Sequence, residues 1–245
     1  MICLGTIVNV ATILVGGMIG LFCKKILSER ITDTIMQGIG LAVIIIGISG
    51  ALKAVFTVVE NEIVTNHILF MIISLAIGAL IGELLKIEDR LEKTAKFCEK
   101  RFTKPGETST FAQGFITATL VFCVGSMAIV GALEEGMTGN TDILFAKSAL
   151  DGITAIIFAS TMGIGVLFAA VIVGIYQGTI TLLAGLVAPY FNDLVITQIS
   201  LIGSVLIIGI GFNMLKITKI KVGNLLPAIF IPIIQYFLFF ILHKF

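Results

Sequence analysis

Charge is scarce in this chain. Asp, Glu, Lys and Arg make up 13% of its 245 residues, against about 25% in soluble domains. So few charges cannot cover a surface facing water, which excludes a soluble globular domain. A formal net charge of +1 supplies no basic surface for nucleic acid. Tryptophan is absent, so the aromatic belt of a membrane interface has mainly Tyr176, Tyr190 and Tyr236 to draw on. The four cysteines, Cys3, Cys23, Cys98 and Cys123, form no C-x-x-C pair and read as small apolar packing residues. They imply neither a disulfide framework nor a metal cluster. Catalytic signatures are missing too: no H-E-x-x-H, no G-x-S-x-G, no P-loop. His67 and His243 sit at the ends of apolar runs and read as interfacial. The chain is therefore expected not to be an enzyme and to need no cofactor. The start, MICLGTIVNVATILVGGMIGL, lacks a basic region and a small-x-small cleavage site, and reads as a retained helix.

What is abundant is apolar. Hydrophobic residues make up 58% and the mean hydropathy is +1.12. A bilayer core needs about 20 apolar residues per helix. Eight segments qualify: about 3–23, 31–52, 64–85, 112–133, 147–162, 165–188, 194–215 and 223–242. The fifth is short, carries Asp151 in its first turns, and parts from the sixth only near Met162-Gly163-Ile164-Gly165. The class this predicts is all-α, a polytopic transmembrane helix bundle forming a single domain over 1–245. Thirteen of the sixteen basic residues follow spans one, three and seven: Lys24, Lys25 and Arg30; Lys86, Arg90, Lys93, Lys96, Lys100, Arg101 and Lys104; Lys216, Lys219 and Lys221. Positive loops stay inside, so these three loops are cytoplasmic and both termini lie outside. Seven spans would put the loop with Lys216 on the wrong side.

Within the second of these loops, residues 86–104 form a stripe of Ile87, Leu91, Ala95, Cys98 and Phe102, with Asp89–Lys93 and Glu92–Lys96 at i,i+4. This reads as a cytoplasmic amphipathic helix on the membrane surface, a connector before it is a regulatory element. Glycine is frequent, 26 residues, and falls in G-x-x-x-G spacing at Gly16–Gly20, Gly78–Gly82 and Gly174–Gly178. Small residues four apart let helix backbones approach, within the bundle by default, or between copies in a homo-oligomer. GTI at 5–7 recurs at 178–180, and VIIIGISGAL in span two echoes VLIIGIGFNML in span seven. Offset by five helices, the first three spans and the last three would be inverted repeats, a design of secondary transporters.

Chemistry concentrates in 111–161. Span four carries Thr117, Thr119, Gly125 and Ser126 and ends on Glu134 and Glu135. Gly125-Ser126 is a place for a bend. Asn140, Thr141, Asp142, Lys147, Ser148 and Asp151 follow. Asp151 shares a helix face with Ser148 and Thr154, and Lys147 stands one turn before it. A polar pocket of Asp151, Ser148, Thr154, Ser126 and Glu134 between spans four and five would bind a hard cation through oxygen or relay protons. The plainer alternatives are a solvated loop holding Glu134 and Glu135, and an acid suited to a helix N-terminus at Asp151. Asn9, Gln177 and Asn213 are further polar residues inside spans; each alone is a hydrogen-bond partner, and together they fit a polar path. Pro227 and Pro232 would kink span eight.

Several segments carry a family resemblance: GTIVNVATILVGGMIG at 5–20, FCVGSMAIVGAL at 122–133, KSALDGITAIIFAS at 147–160, YQGTITLLAG at 176–185 and GIGFNMLKITKIKVGNLLPAI at 209–229. In order and spacing they resemble the YqgA/YdfK-like family, domain of unknown function 554, nearly end to end. Where that family has a proline after the glycine of the span-four motif, this chain has Ser126. Where it has one shortly before Tyr-Gln-Gly, this chain has Ile172 and Val173. The resemblance implies a multi-pass protein of the bacterial inner membrane, for which a sodium channel or pump has been suggested. It carries over no site residue. The expectation is a gradient-driven transporter or channel for a small cation, sodium or proton, or a small solute, with the lipid bilayer as its partner. The alternative is a scaffold, sensor or assembly factor.

Overall fold

In hydrocarbon every backbone N–H and C=O must be bonded within the protein, so a lipid-facing span closes its own ladder as an α-helix. The computed structural model describes residues 3–24, 29–59, 62–90, 93, 110–123, 126–188 and 191–242. Its helices are α1 (Leu4–Lys24), α2 (Glu29–Val55), α3 (Ile68–Leu85), α4 (Phe111–Cys123), α5 (Ser126–Thr138), α6 (Asp142–Met162), α7 (Gly165–Leu182), the single turn α8 (Ala184–Val187), α9 (Asp193–Met214), the turn α10 (Val222–Leu225) and, after a 3-10 segment at Leu226–Phe230, α11 (Ile231–Leu242). The chain is an all-α polytopic membrane bundle.

Among the described residues six helices are long and apolar enough to cross a membrane: α1, α2, α3, α6, α7 and α9. A seventh span results if Phe111–Cys123 and Met127–Thr138, bent by 56°, count as one. The break comes where sequence marks Gly125-Ser126. The eighth segment is apolar but shorter, Val222–Leu238. Pro227 opens its 3-10 segment, where the missing N–H interrupts the α-helical ladder.

Two boundaries need correction. From sequence, span three begins at 64; instead Phe56–Val59 and Glu62–Thr65 form an antiparallel hairpin, and α3 begins at Ile68. The cause is β-branched residues on both sides of a turn, Thr57, Val58 and Val59 against Ile63, Val64 and Thr65. Asn66 closes the hairpin, its N–H donating to the Val55 carbonyl at 2.8 Å. From sequence, span five is short and begins at Lys147. It begins at Asp142, where Asn140 Oδ1 accepts the Asp142 N–H at 3.1 Å. Asp151 thus sits at the middle of a 21-residue helix, not in its first turns. Of the amphipathic segment 86–104, most lies outside the described residues; 87–90 are helical.

The chain divides into two compact units. The first comprises 1–39 and 89–186, the second 40–88 and 187–245. In the first, α1 lies directly on α6. A Cβ on Gly16 would collide with the Gly152 carbonyl oxygen, and one on Gly20 with that of Ile156. In the second, Gly78 faces Ala228, Gly82 faces Asn224, and Gly211 of α9 meets Ile44 and Gly40 of α2. Two of the three G-x-x-x-G faces are thus filled from within the chain. Gly178 of the third has nothing within 4 Å of where a Cβ would stand. Leu69, Leu80 and Leu84 of α3 and Leu41 and Ile45 of α2 are exposed, the surface a bilayer covers.

Candidate functional site

Glycine sets the site's geometry. The close approach of α1 and α6 brings a polar face of α1 against the midpoint of α6. Asn9 Nδ2 donates to Asp151 Oδ2 at 3.0 Å and to Gln177 Oε1 of α7 at 3.0 Å. Lys147 Nζ donates to the same Asp151 oxygen at 2.5 Å, with side-chain exposures of 8% and 9% for the two. Asn9 and Gln177 are fully buried. Two oxygens in front of the Asn9 amide nitrogen fix which way that amide points, and through it the Gln177 amide. Among the described residues Asn9 Oδ1 and Gln177 Nε2 are left buried without a hydrogen-bond partner.

One helical turn along lies a second group. Glu135 of α5 is only 3% exposed. It accepts the Gly5 N–H, in the first turn of α1, at 2.6 Å. It also accepts the Thr6 hydroxyl at 3.4 Å and the Thr181 hydroxyl at 3.5 Å. An acid here satisfies an orphan donor of the α1 N-terminus and suits its dipole. Among the described residues no Lys or Arg side chain pairs with it. Close packing again holds it: a Cβ on Gly136 would strike the Thr181 carbonyl oxygen.

The remaining residues anticipated from sequence fall elsewhere. Ser148 is buried, but its hydroxyl donates to the Leu144 carbonyl at 2.6 Å. Thr154 does the same to Leu150 at 2.8 Å. Such back-bonds to the preceding turn satisfy hydroxyls in an apolar helix. Glu134 is held by Asn140 Nδ2 at 2.9 Å near the surface, apart from its neighbour. Ser126 opens α5, and its side chain lies outside the described residues. Asn213 closes the turn after α9. It donates to the Ile220 carbonyl at 2.7 Å and accepts from the Thr218 hydroxyl and the Ile220 N–H. Asp151 is therefore joined by Asn9 of α1, and through it by Gln177 of α7, rather than by α5, while Glu135 meets α1 and α7 beside it. Thr6 and Thr181 were not singled out from sequence. Their spacing carried a signal: Thr6 and Asn9 are i,i+3, and Gln177 and Thr181 are i,i+4, so each pair shares a helix face.

Among the described residues no three His, Cys, Asp or Glu side chains cluster as metal ligands do. The site instead joins a neutral ion pair, two amides, a lone carboxyl group and two hydroxyls.

A helical, multi-pass bundle with ionisable groups buried on two of its helices defines a polytopic membrane protein with a polar interior. The chain belongs to the family described as protein of unknown function DUF554, whose pattern it matches over residues 4–237. It is 34% identical over 241 residues to the uncharacterized membrane protein YdfK of Bacillus subtilis (strain 168), covering 98% of this chain and 97% of that protein. It is 31% identical over 230 residues to the uncharacterized protein YqgA of Escherichia coli (strain K12), covering 92% and 93%. No solved structure matches it significantly.

Proposed function

We propose that the protein is a gradient-driven transporter or channel for a small cation in the bacterial inner membrane, with Asp151 in its path. The observation that carries this reading is a carboxylate buried halfway along a membrane-length helix, paired there with Lys147 and bonded to Asn9 of α1, which in turn bonds Gln177 of α7. A charge at the centre of a membrane helix costs about 2.5–3.5 kcal/mol on insertion scales. The ammonium of Lys147 offsets part of this. A merely structural pair would be replaceable by apolar residues at little or no cost. In this reading eight segments traverse or enter the bilayer, both termini lie outside, and the first and last three are inverted copies. Cysteines at Lys93 and Asn140 would then react from opposite sides; labelling of both from the cytoplasm refutes that topology.

The transport test is cation flux into proteoliposomes. Wild-type protein should carry an ion down its gradient faster than empty vesicles leak, and Asp151→Asn should abolish the flux while folding and insertion persist. Wild-type vesicles no leakier than empty ones, for every small cation and the proton, would refute transport.

A second reading, a membrane scaffold or sensor, draws on the Lys147–Asp151 pair itself, because a neutralised pair can serve packing alone. It expects wild-type vesicles to carry no ion, and Asp151→Asn to act through stability alone, with Lys147→Met restoring what is lost.

A further inference from the structure

The two polar groups of the first unit are rungs of one ladder. Thr6 and Asn9 lie on one face of α1, about 4.5 Å apart along its axis. Gln177 and Thr181 lie on one face of α7, about 6 Å apart. At one level both threonine hydroxyls point to Glu135 Oε2. At the next, the two amides bond to each other and Asn9 bonds Asp151. The two helices thus present matched polar positions from Glu135 to Asp151, with an acid at each end.

The atoms that lack partners indicate what this ladder handles. Asn9 Oδ1 is an acceptor and Gln177 Nε2 a donor, both in fully buried side chains. A metal cation would be repelled by the Gln177 N–H groups. It would also compete with Lys147, whose ammonium already faces the Asp151 carboxylate. A water molecule suits both orphans, because it donates to one and accepts from the other, and buried waters sit at such polar atoms. Hydroxyls, water and carboxyls are also the groups that pass protons on.

We propose that the ion moved is the proton, and that Glu135 and Asp151 are the two carboxyl groups it visits. This rests on the transport reading and narrows it to one ion. In the step between them the Glu135 carboxylic acid gives up its proton through the threonine hydroxyls and water at the amides. The Asp151 carboxylate receives it, leaving Glu135 ionised and Asp151 neutral. No electron moves, and the summed charge of Glu135, Asp151 and Lys147 is zero before and after. The Lys147 ammonium, which balances the Asp151 carboxylate before the step, balances the Glu135 carboxylate after it, and Glu135, nearer the end of its helix, is the port. The other titratable groups close by are Cys123 of α4, within electrostatic reach of Asp151 and Lys147, Tyr176 next to Cys123, and Cys3 near Glu135.

The test follows internal pH with a trapped dye in proteoliposomes under a pH gradient, and sodium uptake in parallel. Wild type should move protons without sodium. Glu135→Gln and Thr181→Val should each cut proton flux towards the leak of empty vesicles, and Thr181→Ser should keep it. Glu135→Gln is isosteric and can still accept from the Gly5 N–H, and its melting temperature reports whether it folds. Sodium flux without proton flux would overturn the proton assignment and leave transport standing. So would full proton flux in a folded Glu135→Gln variant, as to the port. Infrared titration of the same protein is a readout independent of flux. Each of Glu135→Gln and Asp151→Asn should remove one carboxyl band and shift the band of the other. A spectrum unchanged by either substitution would overturn the relay. Absence of all flux in wild type would instead refute the transport reading on which the proposal rests.

Discussion

The two units solve the problem of a membrane interior differently. The second is held almost wholly by apolar side chains and glycine contacts. Ile199, Leu201, Ile202, Leu206 and Ile210 of α9 are buried, and Ser74, Gln198, Ser204 and Asn224 are its buried polar residues among those described. Its recorded ion pair, Lys221 with Glu83, is more than half exposed. The first unit uses the same glycine contacts but buries Glu135, Lys147 and Asp151 together with Asn9, Gln177, Thr6 and Thr181. Packing alone does not require this, since among the described residues the second unit buries no charged side chain. The proposed function takes up that difference.

The largest effect should follow from breaking the buried pair on one side. Lys147→Met leaves Asp151 unpaired and should cost about 3–5 kcal/mol, read as a lowered unfolding temperature in detergent with a thiol-reactive dye. Lys147→Met with Asp151→Asn should recover most of that loss. Lys221→Met in the second unit should leave the unfolding temperature unchanged. A drop there equal to that of Lys147→Met would erase the contrast between the units.

Glycine substitutions sharpen it next, because here the units should behave alike. Gly16→Val and Gly82→Val each drive a side chain into a backbone carbonyl, and overpacking typically costs about 1–3 kcal/mol. Gly178→Ala meets open space and should be neutral or slightly stabilising. If Gly178→Ala instead weakens self-association on a sizing column, that face packs against a second copy. The smallest effect belongs to Asn213→Ala, which opens the turn after α9. The loss of its hydrogen bonds should cost about 1 kcal/mol and leave flux untouched; loss of flux would return Asn213 to the polar path.

Much of this was legible in the sequence because apolar runs and basic loops are strong signals. The class and the rough place of the long apolar helices follow from them, the family follows from the segments that resemble it, and the Lys147–Asp151 spacing announces its own pair. Partnership across helices was not legible. Glu135 has the same neighbours in sequence as Glu134, yet it is buried against α1 and α7 while Glu134 faces Asn140. Only the rotation of α5 about its axis, set by the fit of Gly136 against Thr181, decides which glutamate points inward. In sequence Asp142 and Lys147 look like loop charges, which puts Asp151 near a helix start; the helix instead begins at Asp142, whose N–H is accepted by Asn140 Oδ1. Asn213 illustrates the converse, a polar residue in an apolar run that serves a turn.

The central claim is that Asp151 is buried for the sake of an ion and not for the fold. The most direct measurement is flux through the Lys147→Met, Asp151→Asn double variant in proteoliposomes, with the unfolding temperature of the same preparation. The double variant restores the packing and removes the titratable carboxyl. The prediction is near wild-type stability with flux at the level of empty vesicles. Wild-type flux at wild-type stability would contradict it and return the buried pair to a structural role.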